Sequence, residues 1–293
     1  MFENIIGNEP IKKILEQAIT NNKISHSYMF LGISGIGKKM IAREFAIKIL
    51  EVEDTENIPD LLYIEPDGNS IKIEQIREMQ KKVQEKPIGA KRKVYIIDQA
   101  DKMTSEAQNC LLKTLEEPPE FVTIILIGVN ENAFLTTIKS RCMILHFNKI
   151  DDEQLKKYLQ VNYGMQNITQ NMLQMYQGSI GKALNLKDKE DIYQALESLV
   201  NKIATKDLIE ITKSAEILYK EKDEIFEMLD YINILLLKKA KEAYEYTNCI
   251  QIVENTKKRL KQNANYDMSI DNMLFNICEE IAWKLKVQAK IKI

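Results

Sequence analysis

SHSYMFLGISGIGKKMIAREFAIKIL, residues 25–50, decides the fold. An apolar run, SHSYMFLG (25–32), leads into Gly32, Gly35, Gly37 and Lys38, and KKMIAREFAIKIL (38–50) then has helical spacing. Strand, G-x-x-x-x-G-K and helix together make a phosphate-loop pattern. Loop N–H groups and the helix N-terminus favour an anion, and Lys38 is expected to reach the outer phosphates. The next position calls for a Ser or Thr hydroxyl on magnesium, and it is Lys39. A second ammonium there should disfavour the metal by like charge.

Working outward, DLLYIEP (60–66), KVYIID (93–98), FVTIILIG (121–128) and MILHF (143–147) are further apolar, β-rich runs. Runs with little alternation suit strands covered on both faces. Between them, IEQIREMQKKVQEK (73–86) puts Ile73, Ile76, Met79 and Val83 on one helical face. SEAQNCLLKTLEE (105–117) reads as a helix stopped by Pro118 and Pro119. Strands alternating with helices imply a parallel sheet with helices on both sides. After Asn148 the strand signal disappears. DDEQLKKYLQVNY (151–163), TQNMLQMYQ (169–177) and GKALNLKD (181–188) read as three short helices, and long helical patterns follow from about residue 189.

Two other stretches carry chemistry. In VYIIDQAD (94–101), Asp98 ends a buried strand, where a carboxylate holds magnesium. The following Gln99 can orient a water but cannot take its proton at neutral pH. In TTIKSRCMIL (136–145), Ser140, Arg141 and Cys142 stand just before the last strand.

The order of glycine loop, IIDQADKM, LLKTLEEPPE and SRC resembles the bacterial clamp-loader subunits of the AAA+ ATPase class. The resemblance implies an α/β P-loop AAA+ domain (1–148), a three-helix lid (149–205) and an all-α collar (206–293). RLKQNANYDMSIDNML (259–274) is similar to a collar stretch of that family. The resemblance also makes Arg141, with Ser140 beside it, an arginine finger supplied in trans to a neighbour's ATP. Such an arginine is worth about 10³–10⁵ in rate.

GSIGKAL (178–184) has Gly181 where the family's motor subunits carry an arginine. With Lys39 and Gln99, three positions needed for hydrolysis are altered, so the resemblance implies a non-motor member. Gly32, Gly35, Gly37, Lys38, Lys39 and Asp98 then form a degenerate site: no nucleotide is required, weak binding of ATP or ADP without turnover stays open, and no metal is held. Relatives often carry a four-cysteine zinc module, but KILEVEDTENIPD (48–60) has no cysteine, so no zinc is expected. The implied partners are motor subunits of the gamma/tau type, a delta subunit, the sliding clamp and primed DNA, in a hetero-oligomer of the DNA polymerase III holoenzyme. The rival readings are a motor-type subunit with unusual motifs and an autonomous ATPase of the helicase-loader kind. ATPase activity of the isolated chain discriminates them.

Composition is compatible with this and excludes other classes. Net charge is −2 over 293 residues, so any contact with DNA needs a local basic surface rather than global attraction. KRK (91–93) and KK (81–82) are candidates, although a solvated face is the expected role for them. Cys110, Cys142, Cys249 and Cys278 are scattered without a CxxC pair, which suggests reduced thiols rather than a disulfide framework or zinc site. No apolar run reaches about 18 residues and no leader pattern is evident, so a cytoplasmic protein without membrane contact is expected. Tyr193, Tyr219, Tyr231, Tyr244 and Trp283 fall in helical patterns and are expected to pack in cores or between subunits.

Overall fold

Five parallel strands and the helices between them follow the expected α/β order. The structure is a computed structural model that describes residues 1–53, 57–203 and 208–291. In chain order the elements are α1 (Glu9–Thr20), β1 (Ser27–Leu31), α2 (Lys38–Leu50), β2 (Leu61–Ile64) and α3 (Ile73–Val83). They continue with β3 (Lys93–Ile97), α4 (Ser105–Glu116), β4 (Val122–Gly128), α5 (Thr136–Lys139) and β5 (Met143–His146). The strands lie in the order β2-β3-β4-β1-β5, and each neighbouring pair is parallel.

Strand alternation sorts the side chains onto two faces. Tyr28, Phe30, Val94, Ile96, Ile125 and Ile127 pack in one cluster with Leu15 of α1 and Ile41 and Phe45 of α2. Met29, Leu31, Tyr95, Ile97, Ile124 and Leu126 pack in the other, with Ile76 and Met79 of α3 and Leu111 of α4. Both faces are dry, which is why these strands read as unbroken apolar runs. Burying each such side chain contributes about 1.5–3 kcal/mol. β1 sits between β4 and β5, so the loop after it opens where the order of connections reverses, the place such sheets reserve for ligands.

Local chemistry sets the element ends. Thr104 Oγ1 accepts the Ala107 N–H at 3.2 Å and caps α4, which stops at Glu116 ahead of Pro118. Asp60, at the foot of β2, is 1% exposed. Burial pushes its carboxyl up, yet the N–H groups of Ile88, Gly89 and Ala90 and the nearby Lys93 hold it below the ordinary range. Those three hydrogen bonds are each 2.8 Å and pin the loop that enters β3.

Lys93 departs from its expected solvated role. It is buried, and its Nζ donates to the carbonyls of Lys82 at 3.0 Å and Glu85 at 2.9 Å, closing the C-terminal end of α3. A DNA contact is therefore denied to this lysine. Lys91 is exposed and pairs with Glu51 at 3.3 Å, and Lys82 pairs with Glu78 at 2.9 Å.

The chain divides into two compact units. The first holds residues 1–166 and 177–182, and so includes α6 (Asp152–Tyr163) together with the segment around Gly178. The second holds residues 167–176 and the chain from 183 onward. The segment expected to form a lid, 149–205, is thus shared between them, and its expected boundary with the collar lies outside the described residues.

The second unit is helical: α7 (Gln170–Tyr176), the second half of α8 (Ile180–Asn185), α9 (Glu190–Ile203), α10 (Leu208–Ser214), α11 (Glu216–Lys220), α12 (Ile225–Glu242), α13 (Thr247–Lys261) and α14 (Tyr266–Ile291). On α12, Ile225, Met228, Leu229, Ile232, Leu235 and Leu236 are buried, the stripe a core-facing helix needs. Tyr193 and Tyr231 are buried edge to face at 4.7 Å. The Tyr231 hydroxyl donates to Glu197 at 2.6 Å. Tyr219 donates to Asp271 at 2.5 Å, whereas Tyr244 is 75% exposed and so lies outside the core of this chain. The side chain of Trp283 lies outside the described residues. Asn263 takes a left-handed φ of 59° after α13, and Asn265 Oδ1 accepts the Met268 N–H at 3.0 Å as α14 begins. No helix among the described residues is long and apolar enough to cross a membrane.

Candidate functional site: a self-paired glycine loop and an outlying arginine

The loop after β1 needs its glycines. Gly35 has φ 76°, and a Cβ there would stand 2.4 Å from Ser179 Oγ and 2.9 Å from the Gly181 Cα. Those neighbours belong to a short strap, residues 178–182 of the same unit. Ser179 Oγ donates to the Ser34 carbonyl at 2.9 Å, and the Gly181 N–H donates to the Gly35 carbonyl at 3.0 Å. Gly181 is as necessary as Gly35, because a Cβ on it would come 2.8 Å from the Gly35 Cα. The strap is itself tied down by the Ile150 N–H, which donates to the Gly178 carbonyl at 3.1 Å.

Lys38 is 6% exposed and turns back on the loop. Its Nζ donates to the carbonyls of Gly32 at 2.6 Å and Ile33 at 2.7 Å. Burial pushes its amine below the usual lysine range, against the pull of Asp101 and Asp98. An ammonium suited to phosphate is here bound to backbone oxygens.

Lys39 makes the sharper departure. Its Nζ lies 3.2 Å from Asp98 Oδ2 and is also paired with Glu65. Burial works against its charge, but the hydrogen bonds it donates to Glu65 and Asp98 raise the amine above its ordinary value. The two carboxylates come from the C-terminal ends of the adjacent strands β2 and β3. The other oxygen of Asp98 accepts the Gln99 N–H at 2.9 Å, with Gln99 held at φ 50°. Magnesium needs free carboxylate oxygens and a hydroxyl at this place. Both oxygens of Asp98 are engaged and a cation already lies against it, so these residues do not fit the metal.

Arg141 stands apart from all this. It follows α5 and precedes β5, at the end of the sheet where the strands begin. Its backbone carbonyl accepts a 2.5 Å hydrogen bond from Ser27 Oγ, at the first residue of β1. The glycine loop leaves the other end of that five-residue strand, roughly 15 Å away at about 3.3 Å per residue. The guanidinium is exposed, with Nη2 2.8 Å from Glu116 Oε1 and Nη1 2.9 Å from the Thr137 carbonyl. Nη1 also donates to Ser140 Oγ at 3.3 Å, and the Ser140 hydroxyl donates to the Thr137 carbonyl at 3.1 Å. Burial pushes the neighbouring Cys142 thiol up to about 11, against a hydrogen bond with Ser27, so it stays a thiol at neutral pH.

Gly32, Gly35, Gly37, Lys38, Lys39 and Asp98 therefore gather at the C-terminal end of the sheet, while Ser140 and Arg141 lie at its N-terminal end. Sequence reasoning missed Glu65, which lay inside an apolar run, and Glu116, which was quoted within a motif but given no role. Ser179 was missed as well. Its nearness to the loop spans 145 residues and leaves no local trace.

Comparison with known proteins agrees with this architecture. Residues 7–151 match the family described as "DNA polymerase III, delta subunit". The chain is 32% identical over 210 residues to the DNA polymerase III subunit tau/gamma of Haemophilus influenzae, covering 64% of this chain and 30% of that protein. It is 34% identical over 164 residues to the DNA polymerase III subunit delta' of Bacillus subtilis, covering 51% of this chain and 50% of that protein. The matches thus span a third to a half of these relatives' lengths. Among solved structures, a DNA polymerase III gamma subunit-related protein from Thermotoga maritima superposes with a TM-score of 0.54 at 21% identity, over 91% of this chain and 99% of that one, and so shares the fold. Residues 7–151, just under half of the chain, thus match the DNA polymerase III delta-subunit family model, and the chain is similar to both delta' and tau/gamma subunits of DNA polymerase III.

Proposed function

We infer that the chain is a delta-prime subunit of a DNA polymerase III clamp loader, which helps place a sliding clamp on primed DNA in the cytoplasm. In this reading the chain braces a hetero-oligomer with motor subunits of the gamma/tau type and a delta subunit. It presents Arg141 to the ATP of the adjacent motor subunit, while its own glycine loop turns over no nucleotide. The observation that carries the reading is the position of Arg141 at the opposite end of the parallel sheet from that loop. A guanidinium there is too far from its own chain's loop to serve it, and it is exposed for use by another. Lys39 between Asp98 and Glu65 supports the idle loop, because a metal-assisted route needs the carboxylates that ammonium has taken, and Gln99 offers no general base.

The test is reconstitution with motor subunits, reading ATP turnover with Arg141 present and replaced by alanine. Unchanged turnover removes the role in trans. The second reading, a motor-type ATPase, has support from the tau/gamma relatives, whose similarity runs over 64% of the chain. Magnesium-dependent turnover by the isolated chain would establish it and overturn the first.

A further inference from the structure

Glu116 occupies a position that helix electrostatics disfavour. It is the last residue of α4, where the unpaired carbonyls carry partial negative charge and a carboxylate is repelled. Pro118 and Pro119 prevent the helix from continuing, so the charge stays at that end. Its partner is the Nη2 of Arg141 at 2.8 Å. The other Arg141 contacts, with the Thr137 carbonyl and Ser140 Oγ, are neutral, made within its own turn, and use Nη1. Glu116 is thus the charged contact and comes from a separate element.

We propose that Glu116 is the positioning residue of Arg141, parking its guanidinium until a phosphate oxygen of a neighbour's nucleotide takes the carboxylate's place. The proposal rests on the role of Arg141 in trans. Thr137 and Ser140 keep hold of Nη1 throughout, so the guanidinium stays aimed while Nη2 changes partner. The pair is open enough for that exchange, with the arginine side chain 34% and the glutamate 49% exposed. Exposed ion pairs are weak, so the parked state is cheap to leave. A phosphate offers more charge and a matching fork of oxygens to the same guanidinium. The exchange makes engagement of the finger depend on nucleotide being present next door. Without it, the arginine rests against its own chain.

The experiment uses the full chain assembled with its motor neighbours, and measures turnover against ATP concentration for wild type, Glu116→Gln, Arg141→Ala and the double variant. Glutamine keeps the shape and removes the charge. The expected result for Glu116→Gln is a KM for ATP lowered by up to about fivefold with kcat unchanged, the limit set by the strength of an exposed pair. In the Arg141→Ala background the same change should do nothing. A merely structural role would move the unfolding midpoint of the chain and leave KM alone. An unchanged KM overturns the parking role, and so does a fall in kcat comparable to that of Arg141→Ala, since the carboxylate would then belong to the engaged geometry. If Arg141→Ala itself has no effect, the role in trans fails and this proposal with it, an outcome distinct from the first two.

Discussion

The hydroxyl of Ser27 donates to the carbonyl oxygen of Arg141 at 2.5 Å, tying the arginine turn to the first residue of β1. The same strand carries the glycine loop at its far end, so one rigid element separates the two features by its full length. A rigid spacer suits an arginine that serves a neighbour. It does not suit a residue that must close on its own chain's nucleotide.

Replacing Arg141 by alanine removes one exposed ion pair and two exposed hydrogen bonds within its own turn, so the isolated chain should lose about 1–2 kcal/mol of stability. Turnover by the assembled complex should fall by orders of magnitude, with about 10³ as the lower end for an arginine finger. Thermal unfolding and steady-state ATPase assays on the same preparation check the contrast.

Lys39→Thr should convert the loop. The ammonium leaves, a hydroxyl arrives, and Asp98 and Glu65 are freed of their shared cation. Nucleotide binding by the isolated chain should become stronger with magnesium than without it, whereas the wild-type chain should show no such gain. Calorimetric titration with ATP, with and without the metal, reads the difference. Equal magnesium dependence in both proteins would contradict the account of Lys39.

Gly181→Arg tests the strap. The Gly181 backbone is not in the left-handed region, so the obstacle is steric, a Cβ 2.8 Å from the Gly35 Cα. Forcing the strap off the loop also endangers the Gly181-to-Gly35 hydrogen bond. A loss of about 1–3 kcal/mol is expected, visible as a lower midpoint in urea. Ser179→Ala removes two hydrogen bonds, one donated to the Ser34 carbonyl and one accepted from the Lys182 N–H, and should cost about 1–3 kcal/mol.

Asp60→Asn should destabilise the chain in a pH-dependent way. Three N–H donors and Lys93 hold the folded carboxyl below its ordinary 3.8 despite burial. A depressed folded value means the stabilisation is fully present above the unfolded value and is lost as pH falls through the folded one. At neutral pH the variant should lose about 1–3 kcal/mol. The gap to wild type should narrow as pH falls below about 4. Denaturant melts at several pH values check both parts, and a gap that widens on acidification would contradict the sign.

How much of this was legible beforehand follows from physical range. The strands and helices of residues 25–147 were readable, because a doubly covered parallel sheet writes unbroken apolar runs and its helices write a 3.6-residue period. The altered positions Lys39, Gln99 and Gly181 were readable too, since each is defined by its offset within a motif. Lys93 was misread as solvated because a charged residue at a strand start looks the same whether its amine reaches water or a helix end.

The sequence by itself determined the order of elements, the glycine loop and the absence of its hydroxyl ligand, all consequences of neighbours along the chain. Only the tertiary structure decided which opposite charge each ion met: Lys39 with Asp98 and Glu65, and Arg141 with Glu116. It also decided that Gly181 lies against Gly35. Such pairings join groups from 25 to 146 positions apart, and they arise only when the packed sheet brings its strand ends and connecting turns together. Local periodicity carries no record of them.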